Sequence, residues 1–259
     1  MKMNILVTSG GTTEKIDAVR RISNMSTGKL GSLTAERFAA EPDVEKVFYI
    51  CSKTAIKPQT GKLEAVYVDS VSSLENAVKE VIGKASIDII IHSMAVSDYR
   101  VKSVTSAVNL AELVFSNLNL FRESGEQEAK AALASLIGES EPVINRDGKI
   151  SSNIDDMILF MERTPKIISL FQTLSPESTL VGFKLLDNVP HETLIDMGFR
   201  ILTQNKCDFV LANDLKDIRG EQHIGYLIGK DKNYTRYAGK REIADAIVST
   251  TMRERRRSI

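Results

Sequence analysis

Ile5-Leu6-Val7-Thr8-Ser9-Gly10-Gly11-Thr12-Thr13 decides the fold, together with Arg21-Ile22-Ser23-Asn24-Met25-Ser26-Thr27-Gly28-Lys29 just after it. An apolar run drops into two glycines and two threonines, and a second polar turn leads into a helix. This strand–turn–helix pattern presents backbone N–H groups and hydroxyls at a helix N-terminus, where anions are favoured. Phosphate is the expected guest. The dinucleotide fingerprint G-x-G-x-x-G is absent from the turn. Gly28-Lys29 suggests a P-loop, but Leu30 stands where Ser or Thr should ligate Mg²⁺, and Ser23 takes the place of that motif's first glycine. On the residues alone, an ordinary strand-to-helix turn and an anion site both stay open.

Outward from this turn, strands and helices alternate. Asn4–Thr8 reads as a buried strand and Leu30–Ala40 as a helix. Lys46–Ile50 and Ala65–Val68 are further strands, Val71 to about Ile82 is a helix, and Ile87–Ile91 is a strand too apolar to be exposed. Such alternation argues for an α/β, Rossmann-like three-layer sandwich with a mostly parallel central sheet. Ligands of these sheets bind beyond the C-terminal ends of the strands, which puts Ser9–Thr13 and His92–Tyr99 at one rim. Val101 to Asp147 breaks the rhythm: Leu110–Phe115 and Glu126–Ile137 look helical, and no strand is evident. The expectation is one domain over 1–259, with 101–147 inserted as a lid or dimer arm. Alternation then resumes with strands at Thr179–Phe183 and Asp208–Ala212 around a helix from Pro190 to Thr203. A late antiparallel pair, Tyr226–Ile228 with Tyr234–Arg236, precedes a closing helix from Lys240 to Met252.

Lys plus Arg and Asp plus Glu each number 34 in the 259 residues, so the balanced charge gives no reason to expect nucleic acid or an acidic membrane as partner. The basic end, Arg253-Glu254-Arg255-Arg256-Arg257, reads as a solvated helix end. No apolar run approaches a membrane span, and Met1-Lys2-Met3 leads into a strand rather than a signal peptide. Cys51 and Cys207 form no C-x-x-C, which indicates neither a disulfide framework nor a zinc site. A reducing cytoplasm is the expected location.

Several polar groups fall after apolar strands. Asp98, in Met94-Ala95-Val96-Ser97-Asp98-Tyr99, could accept a hydroxyl proton, hold a metal, or simply cap a turn. Gly148-Lys149-Ile150-Ser151-Ser152-Asn153 offers an ammonium among hydroxyls, suited to a polyphosphate or merely solvated. Phe183-Lys184 ends a strand, where a ring could stack on a base or stay in the core. Asn213, in Ala212-Asn213-Asp214, could read a hydrogen-bonding edge or cap a helix. His92, His191 and His223 share no spacing, and His92 reads as a satisfied core histidine. The shared position of these groups at strand ends raises the expectation of an enzyme.

The ordered segments Ile5–Thr12, Asp17-Ala18-Val19-Arg20, Ile22–Asn24 with Ser26–Lys29, Ala95–Tyr99 and Ala212–Asp214 resemble phosphopantothenate–cysteine ligase. The resemblance covers nearly the whole chain apart from Val101–Asp147, in a stand-alone form without the flavin-dependent decarboxylase to which the family is also found fused. It implies that a phosphopantothenate carboxylate attacks the α-phosphate of CTP, or of ATP, with Mg²⁺ on the phosphates and no flavin. The L-cysteine amine then attacks the acyl-nucleotide. It implies further that Gly10, Gly11, Thr12, Ser26, Thr27 and Gly28 line the nucleotide phosphates, and that Asn24 holds the activated carboxyl group. Ala95 and Asp98 would meet nucleotide and substrate, with Arg20 also on the substrate. Lys149 would reach the triphosphate, Phe183 and Asn213 would lie beside the nucleotide, and Thr164-Pro165-Lys166-Ile167 would replace a contacting segment that usually reads Asn-Pro-Asp-Ile. The expected partners are the substrates, a second copy in a homodimer, and a separate decarboxylase. The metal ligands are left unassigned.

Three departures bear on the nucleotide. Ile201 and Asn205 fill the places of two lysines of the fused bacterial enzymes, with Arg200 and Lys206 adjacent. Phe183-Lys184-Leu185 and the long segment before Lys149 are closer to the eukaryotic form. CTP remains the favoured reading. A nicotinamide-dependent reductase and a non-catalytic nucleotide-binding partner of a decarboxylase are the alternatives; the missing glycine fingerprint and the lack of a Tyr-x-x-x-Lys pair near Tyr99 count against the first.

Overall fold

In the computed structural model, which describes residues 2–119, 125–139, 144–220 and 222–257, the chain separates into two compact units. The first comprises Met1–Thr12, Asn24–Val96 and Lys166–Ile259; the second comprises Thr13–Ser23 and Ser97–Pro165. In chain order the strands are β1 (Met3–Ser9), β2 (Thr13–Lys15), β3 (Arg21–Ser23), β4 (Val44–Ser52), β5 (Leu63–Val68), β6 (Ile89–His92) and β7 (Tyr99–Ser106). After them come β8 (Met157–Arg163), β9 (Thr179–Leu186), β10 (Phe209–Asp214), β11 (Ile218–Arg219), β12 (Gln222–Ile228) and β13 (Tyr234–Ala238). The helices are α1 (Lys29–Ala40), α2 (Val71–Lys84), α3 (Ala107–Ser116), α4 (Glu126–Glu139), α5 (Ile167–Leu174), α6 (His191–Gln204) and α7 (Lys240–Arg257).

The first unit holds the large sheet. Its strands run β5-β4-β1-β6-β9-β10 in parallel, and β12 then pairs antiparallel with β10. β13 continues the antiparallel edge, with Tyr226 opposite Arg236. Counted along the chain, the parallel strands lie in the order third, second, first, fourth, fifth, sixth. This is the doubly wound arrangement, and its order reverses between β1 and β6. Burial on both faces explains the unbroken apolar runs. Leu6 and Ile90 join one layer with α2, α5 and α6, while Ile5, Val7, Ile89 and Ile91 join the other with α1 and α7. All six side chains are fully buried, each worth about 2 kcal/mol relative to exposure. The expected Rossmann-like sheet and its late antiparallel pair are both present.

The second unit corrects one expectation. No strand was expected between Val101 and Asp147, yet β7 runs to Ser106 and pairs antiparallel with β8, Tyr99 opposite Arg163 and Ser106 opposite Met157. The register shifts between Val101 and Ser103, which breaks the two-residue alternation that would mark a strand. The helical readings on either side of residues 120–124 are both present, as α3 and α4. Val101, Val104 and Ile150 form a small core with Ile16, Ile22, Ile144, Ile154 and Leu159. α3 buries none of its residues and lines an apolar cleft of about 460 Å³ with Ile158.

Candidate functional site

The residues singled out from the sequence are divided between the two units. In the first, they gather where the strand order reverses. β1 and β6 pair in parallel from Ile5 with Ile89 to Thr8 with His92. The pairing continues past the strand ends: Ser93 N–H donates to Thr8 O (3.1 Å), Ala95 N–H to Gly10 O (2.8 Å) and Thr12 N–H to Ala95 O (3.1 Å). Ala95 is thereby tied directly to the Gly10-Gly11 turn, with a bridge to Gly11. Asn24 is drawn into the same place. Its backbone N–H donates to Thr12 O (3.1 Å) and its side-chain Nδ2 to Val96 O (3.0 Å). Gly11 must be glycine here, because a Cβ would run into the main-chain oxygen of Asn24.

The second polar turn forms the N-terminus of α1. Gly28 caps it with φ 69° and ψ 7°, and no side chain caps the helix. A Cβ on Gly28 would lie 2.8 Å from Ser9 Oγ and 3.0 Å from the Ala55 methyl carbon, so both φ and space call for glycine. Ser9 Oγ in turn donates to Gly28 O (3.0 Å). Ser26 and Thr27 are exposed beside this helix start. Their hydroxyls accept from Gly28 N–H and Lys29 N–H at 3.4 Å each, long enough to yield to a better acceptor. An uncapped helix N-terminus with hydroxyls around it favours an anion.

Other expected residues of this unit line the adjoining strand ends. Phe183 is half-buried on β9 opposite Leu211, and Asn213 is buried near the end of β10. Asp214, quoted in the motif but given no role, organises this end. Its carboxylate accepts from Asn188 N–H (2.8 Å), Val189 N–H (3.0 Å) and Lys216 N–H (3.1 Å). Burial alone would raise its pKa, but these donors and the Lys216 ammonium lower it to about 2. Lys166 is the N-cap of α5 and makes no capping bond, as expected of a lysine where the family pattern has an aspartate. Ile167, next to it, is buried in the core. His92 is the core histidine expected: Nδ1 lies 2.8 Å from Thr8 Oγ1, the ring meets Phe171 edge-on, and burial lowers its pKa to about 4.

In the second unit, Asp98 is exposed and its carbonyl accepts from Thr164 N–H (3.0 Å). The Thr164 hydroxyl returns a bond to Ser97 O (2.5 Å), so Thr164 closes this end of the β7–β8 ribbon just before Pro165. Lys149 is exposed and Ile150 buried. Arg20 pairs with Asp17, with Nε 2.9 Å and Nη2 2.8 Å from Oδ2, and donates from Nη2 to Ile150 O (2.7 Å). Asp17, quoted in the motif without a role, also accepts from Val19 N–H (2.8 Å), Arg20 N–H (2.7 Å) and Ile150 N–H (3.1 Å). Burial pushes its pKa up, yet these donors together hold the carboxyl well below the usual range. Arg146 escaped the sequence reading altogether. It donates to four main-chain oxygens: Lys15 and Ile16 at 2.9 Å, Val101 and Lys102 at 3.0 Å.

Among the described residues, no group of three or more His, Cys, Asp or Glu side chains is placed to hold a metal ion, and no helix is long and apolar enough to cross a membrane.

A doubly wound sheet with an uncapped, glycine-started helix at its switch point defines a Rossmann-like α/β architecture. The family is identified by the model of the DNA/pantothenate metabolism flavoprotein C-terminal domain, which matches residues 1–120 and 121–254; the chain belongs to that family. It is 29% identical over 251 residues to the coenzyme A biosynthesis bifunctional protein CoaBC of Methanocaldococcus jannaschii. That match covers 94% of this chain and 49% of the relative, so the chain spans about half of its length. The crystal structure of the DNA/pantothenate metabolism flavoprotein from Streptococcus pneumoniae is 31% identical, with a TM-score of 0.78, covering 97% of this chain and 99% of that one. A Cab2 variant solved in complex with phosphopantothenate-cysteine shares the fold at 18% identity, with a TM-score of 0.66, covering 99% of this chain and 87% of that one.

Proposed function

We propose that the chain is a phosphopantothenate–cysteine ligase. The observation that carries this reading is the placement of Asn24, its carboxamide tied to Val96 O and its backbone to Thr12 O, beside the Gly10-Gly11 turn in a chain of this family. The phosphopantothenate carboxylate attacks the α-phosphorus of CTP, or of ATP, and pyrophosphate leaves. The amine of L-cysteine then attacks the acyl carbon, losing a proton, and the nucleoside monophosphate leaves. Gly10, Gly11, Thr12, Ser26, Thr27 and Gly28 supply N–H and hydroxyl donors to phosphate oxygens, and the α1 dipole adds to their field. Mg²⁺ arrives with the triphosphate as the counter-ion of its oxygens. Lys149 neutralises charge on the phosphates, Asn24 steadies the acyl oxygen, and Arg20, Ala95 and Asp98 meet the substrate. Phe183, Asn213 and Thr164–Ile167 meet the nucleotide. A homodimer belongs to this reading, and α3, with Val108 and Phe115 exposed, supplies apolar surface for it. A decarboxylase as partner belongs to the same reading, and the name of the relative, a bifunctional protein of coenzyme A biosynthesis, supports a second activity working alongside this one.

The test is pyrophosphate release with phosphopantothenate and Mg²⁺, using CTP and ATP in parallel, with and without L-cysteine. Release that requires phosphopantothenate, with amide formed only when cysteine is added, is the expected result and names the nucleotide. No release with either nucleotide refutes the ligase. Asn24→Ala is expected to retain pyrophosphate release while amide formation falls about 10² to 10³-fold, the usual loss for a transition-state donor. Equal losses in both half-reactions would remove Asn24 from its role.

A further inference from the structure

A lysine on an exposed loop is a poor electrostatic catalyst unless its backbone is held, because a small misplacement of the charge costs much of the rate. Lys149 lies on such a loop, outside any helix or strand. Its neighbours are pinned on both sides, by Arg20 and by two residues with no assigned role, Asp17 and Arg146. On the C-terminal side, Asp17 Oδ2 accepts Ile150 N–H (3.1 Å) while Arg20 Nη2 donates to Ile150 O (2.7 Å). On the N-terminal side, Ala18 N–H donates to Gly148 O (3.3 Å), and the Arg146 guanidinium is spread over the carbonyls of Lys15, Ile16, Val101 and Lys102. Asp17 is the hub. It is 3% exposed, and besides Ile150 it gathers Val19 N–H, Arg20 N–H and the Arg20 guanidinium. The turn itself closes with Ile16 N–H on Arg20 O (2.9 Å).

Resting on the ligase reading, we propose that Asp17 is a positioning residue for nucleotidyl transfer. Its carboxylate fixes the main chain next to Lys149 and, with Arg146 holding the other side, delivers the Lys149 ammonium to the triphosphate. A carboxylate is needed because several donors converge on it. An amide of the same shape offers one acceptor oxygen and turns an N–H₂ toward the remaining donors. Arg146 likewise uses a planar fork that lysine cannot reproduce.

The experiment is a double-mutant cycle on the purified full chain, read as the single-turnover rate of pyrophosphate release. Asp17→Asn alone is expected to slow release about 10- to 100-fold at saturating nucleotide, as a misplaced group does, with little change in the nucleotide KM. In a Lys149→Ala background the same substitution is expected to add almost nothing, because the charge it positions is gone. Arg146→Lys is expected to behave in the same way and serves if Asp17→Asn does not fold. Full additivity for the folded variant would overturn the proposal, since a residue acting only on general stability slows the lysine-free enzyme too. Hydrogen exchange at the Ile150 amide gives a readout independent of turnover. Exchange should quicken in Asp17→Asn, and unchanged protection would also overturn the proposal. A wild-type chain that releases no pyrophosphate refutes the ligase reading, and with it the catalytic part of this proposal; protection at Ile150 then still decides whether Asp17 holds the loop.

Discussion

Acidification from pH 7 to pH 5 is predicted to destabilise the fold through His92, and the size of the effect follows from its burial. The ring is 8% exposed, touches Phe171, and is bonded at Nδ1 to Thr8 Oγ1. Burial disfavours the imidazolium and lowers the pKa from 6.5 to about 4. The unfolded chain therefore binds the proton more readily than the folded one. Stability is fully present above pH 6.5 and is lost as pH falls from there toward 4. A shift of this size is worth about 3 kcal/mol when complete, and about 2 kcal/mol of it falls between pH 7 and pH 5. The assay is urea unfolding of the wild type and of His92→Asn at both pH values. Asparagine keeps an amide within reach of Thr8, so its cost in lost ring packing is the same at each pH and drops out of the slope. The wild type should lose about 2 kcal/mol more than the variant over this interval. Equal losses would refute the reasoning and mean that the folded protein accommodates a charged His92. His223, also pushed to about 4 by burial and by the Lys240 charge, titrates in the same direction and cancels in the comparison.

Gly28→Ala should destabilise by about 2 kcal/mol, because left-handed backbone costs a non-glycine residue about 1 kcal/mol or more and its Cβ meets Ser9 and Ala55; nucleotide affinity should fall with it, and unchanged affinity would separate the α1 N-terminus from the phosphates. Gly11→Ala should copy Asn24→Ala, slowing amide formation more than pyrophosphate release, since the new methyl displaces the Asn24 carbonyl. Ser70→Ala should cost about 1 kcal/mol in thermal or urea unfolding, because Ser70 Oγ accepts Ser73 N–H (3.2 Å) in a reciprocal cap of α2. Arg255→Met should cost about 2 kcal/mol by removing charged bonds to Asp88 (3.0 and 3.2 Å) and a bond to Glu177 O (2.7 Å). That last change lies at the N-terminal side of the sheet and should leave nucleotide affinity unaltered.

The sequence by itself determined the Rossmann-like, mostly parallel core. Strands covered on both faces must be apolar throughout, so Ile5-Leu6-Val7 and Ile89-Ile90-Ile91 declare themselves without reference to any partner. The glycine turn is legible for a similar reason. Positive φ at Gly28 and the close approach at Gly11 are local demands that leave a residue-type mark. What tertiary structure alone decided involves partners far apart in the chain. The strand order places Ala95 against Gly10, and only that pairing explains why the two turns form one rim. β7 is mostly polar and bulged, and its partner β8 lies some fifty residues further on, so β7 does not show the alternation of a strand until β8 is beside it. The grip of Asp17 on Ile150 spans 133 residues and that of Arg146 on Ile16 spans 130. An aspartate in a turn and an arginine in a loop look like solvated charges in one dimension. Only folding, by burying the carboxylate under main-chain donors and wrapping the guanidinium in carbonyls, turns them into the frame that holds Lys149.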